Sequence, residues 1–97
     1  MKIKWNRLAV KQLLDIVNYL EDNDSVAYAE KLESKIFNKI KSLPQKLGNY
    51  QADRFKKEND GTFYAFEIDS YRISYRILEK EVRILRVRHV SRRPFKR

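Results

Sequence analysis

The sequence predicts an α+β fold in the order β-α-α-β-β-β, a helical hairpin packed on one face of a mainly antiparallel sheet whose opposite face is open and basic. Three observations lead there. Two stretches of helical periodicity stand back to back in the first half of the chain, three stretches rich in aromatic and β-branched residues follow in the second, and arginines alternate with apolar residues along the last of these. At 97 residues, with 42% apolar and 12% aromatic side chains and only two glycines and two prolines, the chain has the material for a single domain, residues 1–97, with one core.

The first element is a short strand, where Ile3 and Trp5 alternate with Lys2 and Lys4. Asn6 is a helix cap, and from Arg7 to about Asn23 the side chains Val10, Leu13, Leu14, Val17 and Leu20 recur at three- and four-residue steps, which predicts one buried stripe. The polar run Glu21 to Asp24 ends this helix. Ser25 caps a second, whose Ala29, Leu32, Ile36, Ile40 and Leu43 repeat the period until Pro44 stops it. Residues 45–61, with Gly48, Asn49, Asn59, Asp60 and Gly61, read as a loop that carries Arg54, Lys56 and Lys57.

Three strands complete the fold: Thr62 to Ile68, Tyr71 to Leu78, and Val82 to about His89. A two-residue turn at Asp69-Ser70 pairs Ile68 with Tyr71, Phe66 with Ile73 and Tyr64 with Tyr75 on the apolar face, and Glu67 with Arg72 on the other. For the next hairpin, a three-residue turn of Glu79, Lys80 and Glu81 sets Tyr75 opposite Leu85, Ile73 opposite Val87, Ser74 opposite Arg86 and Arg72 opposite Arg88. A two-residue turn would instead carry Arg86 and Arg88 into the core, at a cost of several kcal/mol or more for each unpaired charge, so the three-residue turn is expected although it exposes Ile84. The outward face then bears Glu67, Arg72, Arg76, Arg86 and Arg88. Opposed arginines repel, so Arg72 and Arg88 require Glu67 or an external anion between them.

Charge and composition narrow the function classes. Twenty-two Lys and Arg against 13 Asp and Glu give a net charge of +9, and residues 83–97 hold Arg83, Arg86, Arg88, Arg92, Arg93, Lys96 and Arg97 with no carboxylate. Such a stripe attracts phosphate backbones, acidic protein segments or anionic surfaces. With no cysteine there is no disulfide, thiolate nucleophile or cysteine metal site, which fits a reducing cytoplasm; two isolated glycines exclude a phosphate-binding glycine loop. The N-terminus lacks the apolar run of a signal peptide and no segment reaches membrane-spanning length, so no membrane association is expected, and no metal or cofactor. His89, the only histidine, sits among arginines and could move a proton beside a phosphate, although strand alternation turns it toward the apolar face.

The order of these elements, the Leu43-Pro44 exit from the second helix with Gly48 soon after, the run Tyr71-Arg72-Ile73-Ser74-Tyr75-Arg76, and the run Arg83 to Arg92 together resemble the RelE/ParE toxins over nearly the whole chain. The resemblance implies the growth-arresting toxin of a type II toxin–antitoxin pair, of the kind associated with plasmid stabilization, with a cognate acidic antitoxin as partner. It leaves two mechanisms open. RelE-like members cut messenger RNA in the ribosome, and Arg72 matches their phosphate-binding arginine; in that case Arg72, Arg88 and His89 are the catalytic candidates of a metal-independent endoribonuclease. The basic pair of RelE itself falls at Ala65 and Glu67, however, and Phe95 stands where a late catalytic tyrosine would be. ParE-like members poison DNA gyrase without being enzymes themselves, and the long hairpin helices, with Tyr19-Leu20 closing the first, resemble that branch. Under either reading Lys56, Lys57, Glu67, Arg76, Arg86, Arg92 and Arg93 are candidates for contact with nucleic acid or antitoxin. A third reading, a plain nucleic-acid-binding module, has Phe63 alone on the outward face to stack a base.

Overall fold

A computed structural model describes residues 1–45 and 51–91; Gly48, Asn49, Arg92, Arg93, Phe95, Lys96 and Arg97 lie outside them. The order is β1 (Lys2–Trp5), α1 (Arg7–Asn23), α2 (Val26–Ser42), a 3-10 turn (Leu43–Gln45), β2 (Phe63–Ile68), β3 (Tyr71–Leu78) and β4 (Glu81–His89). Both helix starts are capped as their sequences require. Asn6 Oδ1 accepts from the Ala9 N–H at 2.8 Å, and Ser25 Oγ accepts from the Tyr28 N–H at 3.0 Å. The helix α1 ends where the Asp24 N–H donates to the Leu20 carbonyl, and Leu43-Pro44 converts the end of α2 into the tighter turn.

The strands form one sheet in the order β1-β4-β3-β2, with β1 parallel to β4 and the other pairs antiparallel. Ile73, Tyr75, Val82, Ile84 and Val87 from the sheet meet Ala9, Leu13, Val17 and Leu20 of α1 and Ala29, Leu32, Ile36 and Ile40 of α2 in one core. Aromatic rings fill its edges: Tyr64 stacks on Tyr75 at 5.8 Å between centroids, Phe66 tilts against Tyr75 at 5.9 Å, and Trp5 of β1 meets Phe37 of α2 at 5.4 Å.

The stripe of α2 is the expected one, whereas that of α1 is rotated. Ala9 is buried, while Val10 and Leu14 are 41% and 51% exposed. A helix buries only one stripe of about 100°, and a side chain no larger than a methyl at position 9 lets α1 lie close to its neighbours.

The β2–β3 register is the expected one throughout, from Phe63 opposite Arg76 to Ile68 opposite Tyr71. Asp69 opens the two-residue turn with φ 55°, the left-handed conformation that such a turn demands and that Asp tolerates. The carboxylate of this turn is held from α2, by the Tyr28 hydroxyl at 3.1 Å and by Lys35 Nζ at 3.4 Å.

The β3–β4 hairpin departs from expectation in an instructive way. Its turn has two residues, with Leu78 opposite Glu81, Ile77 opposite Val82 and Tyr75 opposite Ile84, so Ile84 is buried and Leu85 does not face Tyr75. The register then shifts at Ser74/Tyr75, after which Ser74 faces Arg86, Ile73 faces Val87 and Arg72 faces Arg88. Leu85 is the extra residue of a β-bulge. The bulge reconciles two demands that a single register cannot meet, since Ile84 enters the core on one side of it and Arg86 and Arg88 leave the core on the other.

Candidate functional site

The sheet face opposite the helices is not bare, because residues 51–61 lie against its β2 side. Ala52 forms a bridge with Tyr64, the Ala65 N–H donates to the Gln51 carbonyl and the Asp53 N–H to the Phe63 carbonyl, which adds a short antiparallel segment beside β2. From there the loop turns over the face and reaches Arg72. One end of that guanidinium binds Asp53 Oδ1 at 2.8 Å and the other Glu67 Oε2 at 3.1 Å, while the Phe55 ring lies 4.6 Å from its centre. Arg72 and Asp53 are each only 11% exposed in their side chains. The cross-strand pair expected between Glu67 and Arg72 is therefore present, but Asp53 and Phe55 complete a cage that local sequence patterns do not indicate.

A second clamp repeats the chemistry four residues further along β3. Arg76 donates through Nε to the Thr62 hydroxyl at 2.9 Å and through Nη2 to Asp60 at 3.2 Å, and its guanidinium covers the Phe63 ring at 4.6 Å; Lys56 Nζ lies 4.7 Å from the same ring. Hydrogen bonds from the Thr62 hydroxyl and N–H, with the charge of Arg76, hold the Asp60 carboxyl below its ordinary range. Phe63, the one aromatic expected to stack a base, is thus occupied by two cations. Lys57 is exposed on the loop, Arg86 is exposed on β4 and Arg88 is partly buried beside Arg72 on the same face.

His89 falls on the other side of the sheet. It stands opposite Tyr71, whose ring it meets edge-on at 5.2 Å, and burial pushes the Tyr71 hydroxyl above the ordinary tyrosine range. The His89 Nδ1 lies 3.1 Å from the Ser91 N–H and 2.7 Å from the Ser91 hydroxyl. A backbone N–H can only donate, so Nδ1 is the acceptor and the neutral ring carries its proton on Nε2. Three candidates for phosphate chemistry are consequently divided: Arg72 and Arg88 share one face, and His89 belongs to the helix-covered face. There it lines a groove of about 870 Å³ between α1 and the end of β4, with Leu8, Gln12, Ile16 and Tyr19 opposite and with Arg86 and Arg88 of the strand also at its wall. Among the described residues no cluster of three or more His, Cys, Asp or Glu could hold a metal ion, and no helix is long and apolar enough to cross a membrane.

Residues 3–94 match the family described as the ParE toxin of the type II toxin–antitoxin system parDE. The chain belongs to that family. A ParE toxin has an antitoxin as its partner. Among solved structures, the chain is similar to one from the chromosomal ParDE toxin–antitoxin system of P. aeruginosa, with 26% identity, a TM-score of 0.71, and coverage of 93% of this chain and 96% of that one. It also shares its fold with a chain of the YoeB dimer from Staphylococcus aureus, at 18% identity and a TM-score of 0.60, covering 92% and 95%. No curated protein matches the sequence.

Proposed function

We propose that this ParE-family toxin arrests growth in the cytoplasm by inhibiting DNA gyrase, and that its acidic antitoxin neutralises it through basic side chains of the chain's second half. The observation that carries the reading is the placement of Arg72 away from His89. A nuclease using both would need them within reach of one phosphate, whereas the guanidinium is held between Asp53 and Glu67 on one face and the imidazole packs against Tyr71 on the other. Family membership supports the same branch. Lys56, Lys57, Arg86, Arg88, Arg92 and Arg93 are the proposed contacts for partner carboxylates or nucleic acid, while Glu67 and Arg76 act as internal partners of the clamps.

Induction in bacteria tests this directly. Gyrase poisoning predicts a DNA-damage response and filamentation, inhibition of supercoiling by the purified protein, and intact messenger RNA; His89→Gln should keep its toxicity. Ribosome-dependent cuts in messenger RNA together with uninhibited supercoiling would replace this reading with the nuclease one.

A further inference from the structure

The outward surface of the helical hairpin carries an apolar strip that the core does not use. Each helix has two flanks beside its buried stripe. One flank of α1, with Leu8, Gln12 and Tyr19, lines the groove beside β4, and one flank of α2, with Tyr28, Lys35 and Lys39, turns toward Asp69 and Phe66 of the sheet. The remaining flanks, about 100° round each helix from its buried residues, therefore face one another across the outer seam of the hairpin. Val10 and Leu14 stand on one side of this seam and Phe37 on the other, all three exposed, with the Trp5 ring behind Phe37 at 5.4 Å.

Charge along the seam is sorted. Because α1 and α2 run antiparallel from the short link at Asp24 and Ser25, Arg7 and Lys41 meet at the open end of the hairpin, and Glu21, Glu30 and Glu33 lie toward the linked end, with the apolar strip between. None of these five charges has an ion-pair partner among the described residues. Residues 7–42 hold six Lys or Arg and six Asp or Glu, so the hairpin is neutral and the whole excess of +9 lies elsewhere in the chain. An acidic segment or a phosphate backbone finds no net attraction there. A second copy does. Turned end for end, it lays its apolar strip on the first and sets its Arg7 and Lys41 against the first copy's Glu21, Glu30 and Glu33, a match that a twofold axis makes twice.

We propose that two copies of this chain associate through the hairpin seam as an antiparallel twofold dimer, with Val10, Leu14 and Phe37 at its centre. Helices of 17 residues are about 25 Å long, and two side by side are about 20 Å wide, which offers roughly 500 Å² from each copy. A total of about 1,000 Å² is the lower limit for a specific contact, so the dimer is weak, with chains mainly monomeric at about 1 μM and mainly dimeric near about 500 μM. The groove beside β4 and the open sheet face of each copy stay outside the contact, so the inference does not depend on the target of the toxin.

Sedimentation equilibrium of the full chain across that range of concentration tests the dimer. The mass should rise from that of one chain toward that of two. Leu14→Gln should weaken association by about tenfold, since the axis places two copies of the change in one interface. Reversing one end of the seam, by Arg7→Glu with Lys41→Glu or by Glu21→Lys with Glu30→Lys, should abolish self-association of each variant. Mixing the two variants should restore a heterodimer within about threefold of wild-type strength, because each then meets the opposite charge. All five positions are exposed, so the fold should survive these changes. Arg86→Glu, on the sheet, should leave association within about twofold. A chain that stays monomeric to about 500 μM, reversed variants that fail to pair when mixed, or a dimer that Arg86→Glu breaks and Leu14→Gln does not, would overturn the proposal.

Discussion

On the helix-covered face of the sheet, Ile73, Tyr75, Ile84 and Val87 are closed over by Ala9, Leu13, Leu32 and Ile36, and among the described residues no charged side chain enters the core. On the other face, Arg72 and Arg76 are covered by Asp53, Phe55, Asp60, Thr62 and Phe63, with each guanidinium meeting carboxylate at its edge and aromatic ring at its plane. Both faces are closed by residues remote in sequence, but they differ in what they lose when broken. Apolar cover is non-directional and tolerates small shifts, while an ionic clamp depends on every partner, because a carboxylate without its arginine is left desolvated and unpaired. An arginine can therefore be more a fixture of the fold than an available binding group, as Arg72 is.

The comparison predicts a graded set of losses. Tyr75→Ala should be the largest, about 3 to 5 kcal/mol by thermal or denaturant unfolding, since it opens a cavity against Tyr64 and Phe66 at the centre of the apolar face. Arg72→Ala comes next, at roughly 1 to 3 kcal/mol, reduced from the cost of a fully buried pair by its remaining exposure. A double-mutant cycle with Asp53→Ala should show most of that loss to be coupled; additive effects would mean that the clamp does not hold the loop.

Alkaline pH separates the faces further. Burial raises the Tyr28 hydroxyl above its ordinary value, helped by its bond to Asp69, and burial raises that of Tyr71. Both tyrosines sit on the helix side, and a raised hydroxyl favours the neutral form in the folded state. Their contribution is complete below the unfolded tyrosine pKa, about 10, and is lost as pH rises through the folded values. Unfolding curves followed from neutral to strongly alkaline pH should show this loss, diminished by Tyr28→Phe. The smallest effects belong to Val10→Gln and Leu14→Gln, each expected within about 0.5 kcal/mol because both side chains already face solvent. A loss comparable to that of Arg72→Ala would return these residues to the buried stripe.

Much of the architecture was legible in the chain itself. Helical periodicity in α2 marked each of its buried residues, Asn6 and Ser25 announced the helix starts, and the Asp69-Ser70 turn set the β2–β3 register, because these are local properties with a fixed spatial period. Local reasoning also required Arg86 and Arg88 to leave the core, which they do. It could not supply the means. Choosing between two turn lengths assumed an unbroken ladder, and the bulge at Leu85 meets the demands of Ile84 and of the arginines only because β4 packs against α1 and β3 together. Likewise, the repulsion between Arg72 and Arg88 called for an anion in the sequence, but that Asp53 joins Glu67 in answering it, nineteen residues away from Arg72, follows from the path of the loop across the sheet. Sequence periodicity fixes which face a side chain occupies; only packing between distant segments decides what covers it, and so whether an arginine is free to bind or already bound.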